Sequence, residues 1–345
     1  MKKKLYPSAA SRWTKCPGSV ILCEQVPEEL RSTTSPAAER GTAIHAAAAA
    51  AIIAGAAPKT VFANYGLDED AQKEVQFYVD YVLSLVSERA VYGVEEQVVY
   101  ESRNCVLSGI VDFYIYDGDV LRVVDLKTGA HEVQADNDQL KCYAIALLKK
   151  YEFEISRVML VIVQRGEIRE MEFKLHAIAD FSLKLAEVAE DLEKTPVPFS
   201  PGPHCRWCPA AIICDEVHNA AVEAAKTEFS LINPSDVSAR LYDVEDILIP
   251  YCNAVRDAAK RLMQTHEIPG WRLSPVRRRT WSSDCDSVRL AQWLAKRGVK
   301  SSELVKALTP AQVEKMLGDK LPSVYVDVVE VSMSVRKNDG HEFND

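Results

Sequence analysis

Asp112, Asp125 and Lys127 are the residues whose types and spacing point most directly to chemistry. They lie in residues 108–127, SGIVDFYIYDGDVLRVVDLK. Carboxylates of this kind hold Mg²⁺ or Mn²⁺, which can activate a water near neutral pH and clamp developing negative charge. An adjacent ammonium can orient or deprotonate the water and stabilise the same charge. Phosphodiester hydrolysis needs both functions. An Asp-x-Lys triplet alone is common and also describes a solvated strand end with a surface ion pair, so its neighbours matter. Gln139 and Tyr143, four apart in QLKCY, share one face of a helix. His45 lies upstream in an alanine-rich stretch, where a lone histidine is ordinarily a core or boundary residue.

A second group is sulfur. Cys205-x-x-Cys208-Pro and then Cys214 place three thiols within ten residues, just after the proline-rich TPVPFSPGP. Tight spacing without an export signal suggests a metal site rather than disulfides. Three ligands are one short, and Cys16, Cys23, Cys105 and Cys142 are candidates for the fourth. Cys16 is preferred because it ends a helix before Pro17-Gly18, outside the expected strands. Thiolates bind zinc and iron–sulfur clusters alike, so spacing leaves both open. A third group is basic: Arg272, Arg277, Arg278 and Arg279 stand beside Trp271 and Trp281 in WRLSPVRRRTW. That mixture can grip phosphates and stack bases, and equally describes a solvated strand edge.

The elements that must position these residues follow from pattern. Residues 108–116 and 120–127 are β-branched and aromatic, with Asp117-Gly118-Asp119 as turn chemistry, and read as a hairpin. A loop of two to four residues near Gly118 places Asp112 opposite Val123, Val124 or Asp125. Alternation puts Leu121, Val123, Asp125 and Lys127 on one face. Helices are expected over about 8–16, 37–54, 68–91, 138–150 and 177–194, and strands over 94–101, 156–164 and 167–173. The order fits a central mixed sheet flanked by helices on both faces. Beyond about 218 come helices at 219–228 and 237–266, a β-like segment at 271–281, short helices and a β-rich segment at 324–335. The expected division is residues 1–219 and an α+β extension, 220–345.

The chain has 345 residues, 48% hydrophobic and 26% charged, with a net charge of -9. That size supports a large core, and the acidity excludes general coating of nucleic acid. The three lysines after Met1 lack a following apolar run, and the alanine-rich segment 43–57 is too short to span a bilayer. A cytoplasmic protein without membrane attachment is expected.

In combination the motifs resemble the RecB-like branch of the PD-(D/E)xK nuclease superfamily. The resemblance covers about residues 5–217. It rests on Gly41-Thr42-x-x-His45, Gly109-x-x-Asp112, Asp125-Leu126-Lys127 and Gln139-x-x-x-Tyr143 in that order, with Val111 where the superfamily often has proline. It implies a restriction-endonuclease-like core and a metal site from His45, Asp112, Asp125 and the Leu126 carbonyl. Lys127 would be the catalytic lysine, with Gln139 and Tyr143 shaping the site and contacting DNA. Glu96 is a weaker auxiliary acid. The cysteines resemble those of iron–sulfur nucleases of the same branch, including AddB and the CRISPR-adaptation exonucleases. In these one N-terminal cysteine and a C-terminal trio hold a 4Fe–4S cluster that joins the two ends of the domain. By the same resemblance Cys16, Cys205, Cys208 and Cys214 would be its ligands, with Zn²⁺ as the rival.

The expected function is a Mg²⁺- or Mn²⁺-dependent deoxyribonuclease, an exonuclease acting on DNA ends or single strands. The setting implied is phage- or prophage-type recombination or replication, with a possible partner protein. Two other classes stand beside it: a catalytically silent nuclease-fold module binding DNA or a partner, and a zinc-stabilised structural protein.

Overall fold

The computed structural model describes residues 2–30, 36–55, 58–102, 104–226, 233–281, 287–298, 310–317, 320–322 and 325–337. The central element is the hairpin. Strand β3 (Cys105–Asp117) turns over Gly118, which has φ +65°, into β4 (Val120–Lys127), pairing Asp117 with Val120 and Phe113 with Val124. A two-residue turn with a left-handed glycine matches the twist of the flanking strands. The first strand, β1 (Lys3–Leu5), lies parallel to β3, and β2 (Val91–Glu101) antiparallel to it. Strand β5 (Arg157–Gln164) lies parallel to β4, and β6 (Glu167–Lys174) completes a six-stranded mixed sheet.

Because β2 occupies one edge of β3 along residues 106–116, β1 and β4 must share the other. β1 takes residues 105–107 and β4 takes 113–117, so the sheet opens between them, beside Asp112. Helices fill both faces. On one, α3 (Pro36–Ala54) and α4 (Glu69–Leu85) pack Ile44, Ala47, Ala48 and Ala51 against Val75, Tyr78 and Val82 over Phe113, Val124 and Leu126. The alanines allow that close approach. On the other, α1 (Ala10–Trp13), the following α2 (Gly18–Glu24), α5 (Asp138–Tyr151) and α6 (Leu175–Asp191) share a core with Leu107, Val111, Leu121 and Val123.

The cysteine-bearing turns follow α6, then α7 (Asp215–Lys226), α8 (Pro234–Tyr242) and α9 (Ile249–Leu262). The chain divides into two compact units, Met1–Val255 and Arg256–Asp345. This falls later than a boundary near 220. The reason is that Cys205, Ala211, Val217 and Ala254 share one apolar cluster, so the helices after the cysteines pack with them. In the second unit β7 (Trp271–Trp281) pairs antiparallel with β8 (Val326–Lys337), and Leu294, Val313, Leu321 and Val326 form a small core. Among the described residues no single helix is long and apolar enough to cross a membrane.

Candidate metal-dependent site

The site lies where the sheet opens. Along β2 and β3 the alternation of faces breaks at one level. Glu96 and Val98 face the α5 side, whereas Val94 faces the α3–α4 side. Val111 likewise faces α5, and Phe113 the opposite layer. The break occurs at Glu95, whose φ is +49°, and at Asp112, its partner by the register on either side. A non-glycine residue in the left-handed region is a strained conformation typical of functional positions.

Here the Nδ1 of His45, from α3, is 3.3 Å from Asp112 Oδ1. His45, Glu95 and Asp112 each offer a ligand atom, and all lie within 4.8 Å of one another. The other Asp112 oxygen accepts the Leu126 backbone N–H at 2.7 Å, which ties β3 to β4 across the opening. The narrow pocket that these residues line is also lined by Leu126 and Tyr78. Tyr78 is buried, its hydroxyl has no hydrogen-bond partner, and burial drives its pKa up.

Asp125 is 3% exposed. The Lys127 ammonium lies 2.8 Å from its Oδ2 but off the direction of a hydrogen bond, which leaves that buried oxygen without a directed donor. Its Oδ1 accepts from Gln139 Nε2 at 3.1 Å. Gln139 Oε1 accepts from Lys127 at 2.9 Å, and Gln139 Nε2 also donates to the Tyr143 hydroxyl at 3.3 Å. The Asn137 side chain caps α5 by accepting the Leu140 N–H at 3.0 Å, which sets the helical phase of Gln139 and Tyr143. Thus α5 supplies a relay joining lysine to carboxylate from one face of the sheet, and α3 supplies an imidazole from the other.

The electrostatics are those of crowded acids. Burial, then the Asp112 charge, push the Asp125 carboxyl up to about 6 against the opposing pull of Lys127 and His45. Burial and Asp112 also raise Glu95. Burial pulls His45 down, but its hydrogen bond and charge interaction with Asp112 outweigh this and the net shift is upward. Desolvated carboxylates beside one another favour either protons or a cation.

The two motif glycines have a packing reason. A Cβ on Gly109 would come within 2.9 Å of both the Pro7 and Tyr143 rings, and one on Gly41 within 3.0 Å of the Thr128 hydroxyl. Glu96 is not an auxiliary acid of this site. It turns to the α5 face and bonds Lys150 and the Tyr151 hydroxyl, the latter at 2.7 Å. Glu95 takes the place beside Asp112. The pair Glu95-Glu96 gave no means of choosing, because simple alternation fails at the break.

Cys16, Cys205, Cys208 and Cys214 line one small cavity, of about 20 Å³, together with His204. Backbone N–H groups of Ser200 and Gly202 donate to the sulfurs of Cys16 and Cys205 at 3.5 and 3.4 Å. Of the other candidate fourth thiols, Cys105 and Cys142 are in the sheet core. Cys23 contacts Cys208 from outside the cavity. That contact, against burial and with help from Arg12, holds its thiol down at about 6. In the second unit Arg272 lies on β7, and the side chains of Arg277, Arg278, Arg279 and Trp281 lie outside the described residues.

A family model described as protein of unknown function (DUF2800) matches residues 3–336. The chain belongs to the DUF2800 family. Among solved structures, the crystal structure of SSO0001 is similar at 16% identity, over 63% of this chain and 87% of that one, with a TM-score of 0.33.

Proposed function

We propose that this DUF2800 protein is a divalent-metal-dependent phosphodiesterase of the PD-(D/E)xK type, acting on DNA as a nuclease. The observation that carries the reading is the convergence of His45, Glu95 and Asp112 beside Asp125 and Lys127 at an opening in the sheet. The donor set fits Mg²⁺ or Mn²⁺, being carboxylate oxygens with one imidazole. Asp112, Asp125 and His45 would hold the ion, joined by Glu95 and the Leu126 carbonyl. The bound ion would supply water activation and neutralise charge on the phosphoryl oxygens. Lys127, held between Asp125 and Gln139, orients the attacking water and stabilises the charge that builds on phosphorus. Gln139 fixes that ammonium and the Asp125 carboxylate in one geometry, and Tyr143 backs Gln139. DNA as the substrate, and a role in phage-type recombination or replication in the cytoplasm, rest on the motif resemblance.

A second site is a cysteine brace, holding an iron–sulfur cluster through Cys16, Cys205, Cys208 and Cys214. The N–H donors on two of the sulfurs suit thiolate ligands, and the choice of a cluster over zinc rests on the resemblance of the cysteine pattern to that of iron–sulfur nucleases.

The deciding experiment is digestion of end-labelled single- and double-stranded DNA, linear and circular, with Mg²⁺, with Mn²⁺ and with EDTA. Metal-dependent cleavage that falls at least about 100-fold in Lys127→Ala and is abolished in Asp125→Ala supports the reading. DNA binding without cleavage under either metal selects a silent binding module instead, and full activity in either variant removes the site assignment.

A further inference from the structure

A groove of the first unit lies apart from the metal pocket, and the proposed nuclease chemistry does not account for it. It has a volume of about 840 Å³ and is lined by Lys2, Lys3, Lys4, Tyr6 and Arg12, with Glu24 at one side. On a chain of net charge -9 this is a concentration of positive charge. Lys2 and Lys3 meet Glu101 and Glu24, each at 2.8 Å, in solvent-exposed pairs that contribute little and exchange readily for a phosphate. Lys4 makes no ion pair among the described residues. Strand alternation puts Lys2, Lys4 and Tyr6 on one exposed side of the segment and Leu5 in the core.

Tyr6 is 56% exposed, yet its backbone is fixed, because its carbonyl accepts the Trp13 indole N–H at 2.9 Å. An aromatic ring held open beside a row of amines is the combination that stacks a base and tracks a sugar–phosphate backbone. A duplex keeps its base faces stacked internally and has no use for such a ring. The segment after Tyr6 continues toward the site. Pro7, the next residue, packs with Tyr143 over Gly109, three residues from Asp112, and Tyr143 is bonded to Gln139.

We infer that Lys2, Lys4 and Tyr6 form a single-strand track that delivers DNA along the β1 edge into the opening beside Asp112 and Lys127. The inference deepens the nuclease reading and rests on it for direction of travel. Its test does not depend on cleavage. Affinity of the full chain for fluorescein-labelled oligothymidylate is measured by anisotropy in EDTA, over a series of salt concentrations. Tyr6→Ala is expected to weaken binding about tenfold and Tyr6→Phe to retain it. Lys4→Gln is expected to lower the slope of log affinity against log salt by about 0.7. Three results overturn the track: no binding by the wild type, unchanged affinity and slope in both Tyr6→Ala and Lys4→Gln, or equal loss for duplex and single strand. Competition by oligoglutamate as effective as by oligothymidylate would overturn it too, and would assign the groove to an acidic peptide. If the track variants behave as expected but the wild type cleaves nothing with Mg²⁺ or Mn²⁺, the groove stands and the nuclease reading fails. If the wild type cleaves but the variants bind as it does, the nuclease reading stands and the track fails.

Discussion

At the scale of single residues the site is governed by three acids and one imidazole, with Asp125 buried and Glu95 exposed. Glu95 is the test of whether the break in β2 and β3 serves the site. Glu95→Gln keeps size and removes charge, and is expected to lower cleavage about 10- to 100-fold and to raise the Mg²⁺ concentration needed for half-maximal rate. Glu96→Gln, whose parent bonds Lys150 on the other face, is expected to leave that concentration unchanged. Asp125 gives a pH prediction. Its carboxyl is raised in the fold to about 6 from an ordinary value of 3.8. Its contribution to stability is therefore fully present below the unfolded value and is lost as pH rises through about 6. In EDTA, Asp125→Asn is expected to raise the melting temperature by a few degrees at about pH 8 and by less as pH falls toward about 4. Calorimetry across that range checks the sign. Asp112, Asp125, Lys127, Gln139 and His45 could be singled out from residue type and spacing because each sits on a regular element. Glu95 and Tyr78 could not. One depends on a local break in alternation, and the other looks like any aromatic on the buried stripe of an amphipathic helix.

At the scale of elements, most helices and strands were legible because period and turn chemistry agree. The 3.6-residue stripe Val75, Tyr78, Val79 and Val82 is the buried face of α4. Positive φ at Arg165 and Gly166 closes the β5–β6 hairpin where the sequence breaks its β pattern. What was not legible is that β1 exists and shares an edge of β3 with β4, since a three-residue strand, Lys3–Leu5, has no period to read. That sharing explains Gly109, which lies in the opening under Pro7 and Tyr143. Gly109→Ala is expected to cost about 1–3 kcal/mol by overpacking and to displace Tyr143 from Gln139. Urea denaturation reads the first effect, and a drop in cleavage beyond that explained by unfolded protein reads the second. Gln164 is a comparable support. Its buried amide donates to the carbonyls of Gly129 and His131, both at 2.8 Å, and its oxygen accepts the Val133 N–H at 3.1 Å. It pins the loop that leaves β4.

At the scale of the whole molecule, the cysteines carry the longest-range connection. Cys16 follows the first helix, and the N–H of Ser200 reaches its sulfur across 184 residues of sequence. Gly18 approaches the same segment. Its N–H donates to the Pro198 carbonyl at 2.9 Å, and a Cβ there would come within 2.6 Å of the Phe199 ring. The N-terminal segment that carries Tyr6, Pro7 and Trp13 is thus fastened at one end to β3 and at the other to the cysteine-bearing turns. A cluster held by these thiols, as proposed, would cross-link residues distant in sequence and so restrict the unfolded chain, and by analogy with a disulfide it would contribute about 2–5 kcal/mol. Cys16→Ser is therefore expected to lose iron and sulfide, lower the melting temperature of anaerobically purified protein, and loosen the segment that holds Tyr6 beside the opening. Cys105→Ser, in the sheet core away from the cavity, is expected to keep iron and sulfide. Iron and acid-labile sulfide analysis, with hydrogen exchange over residues 2–30, separates the two. Full metal content and unchanged exchange in Cys16→Ser would show that the N-terminal segment is held by packing alone.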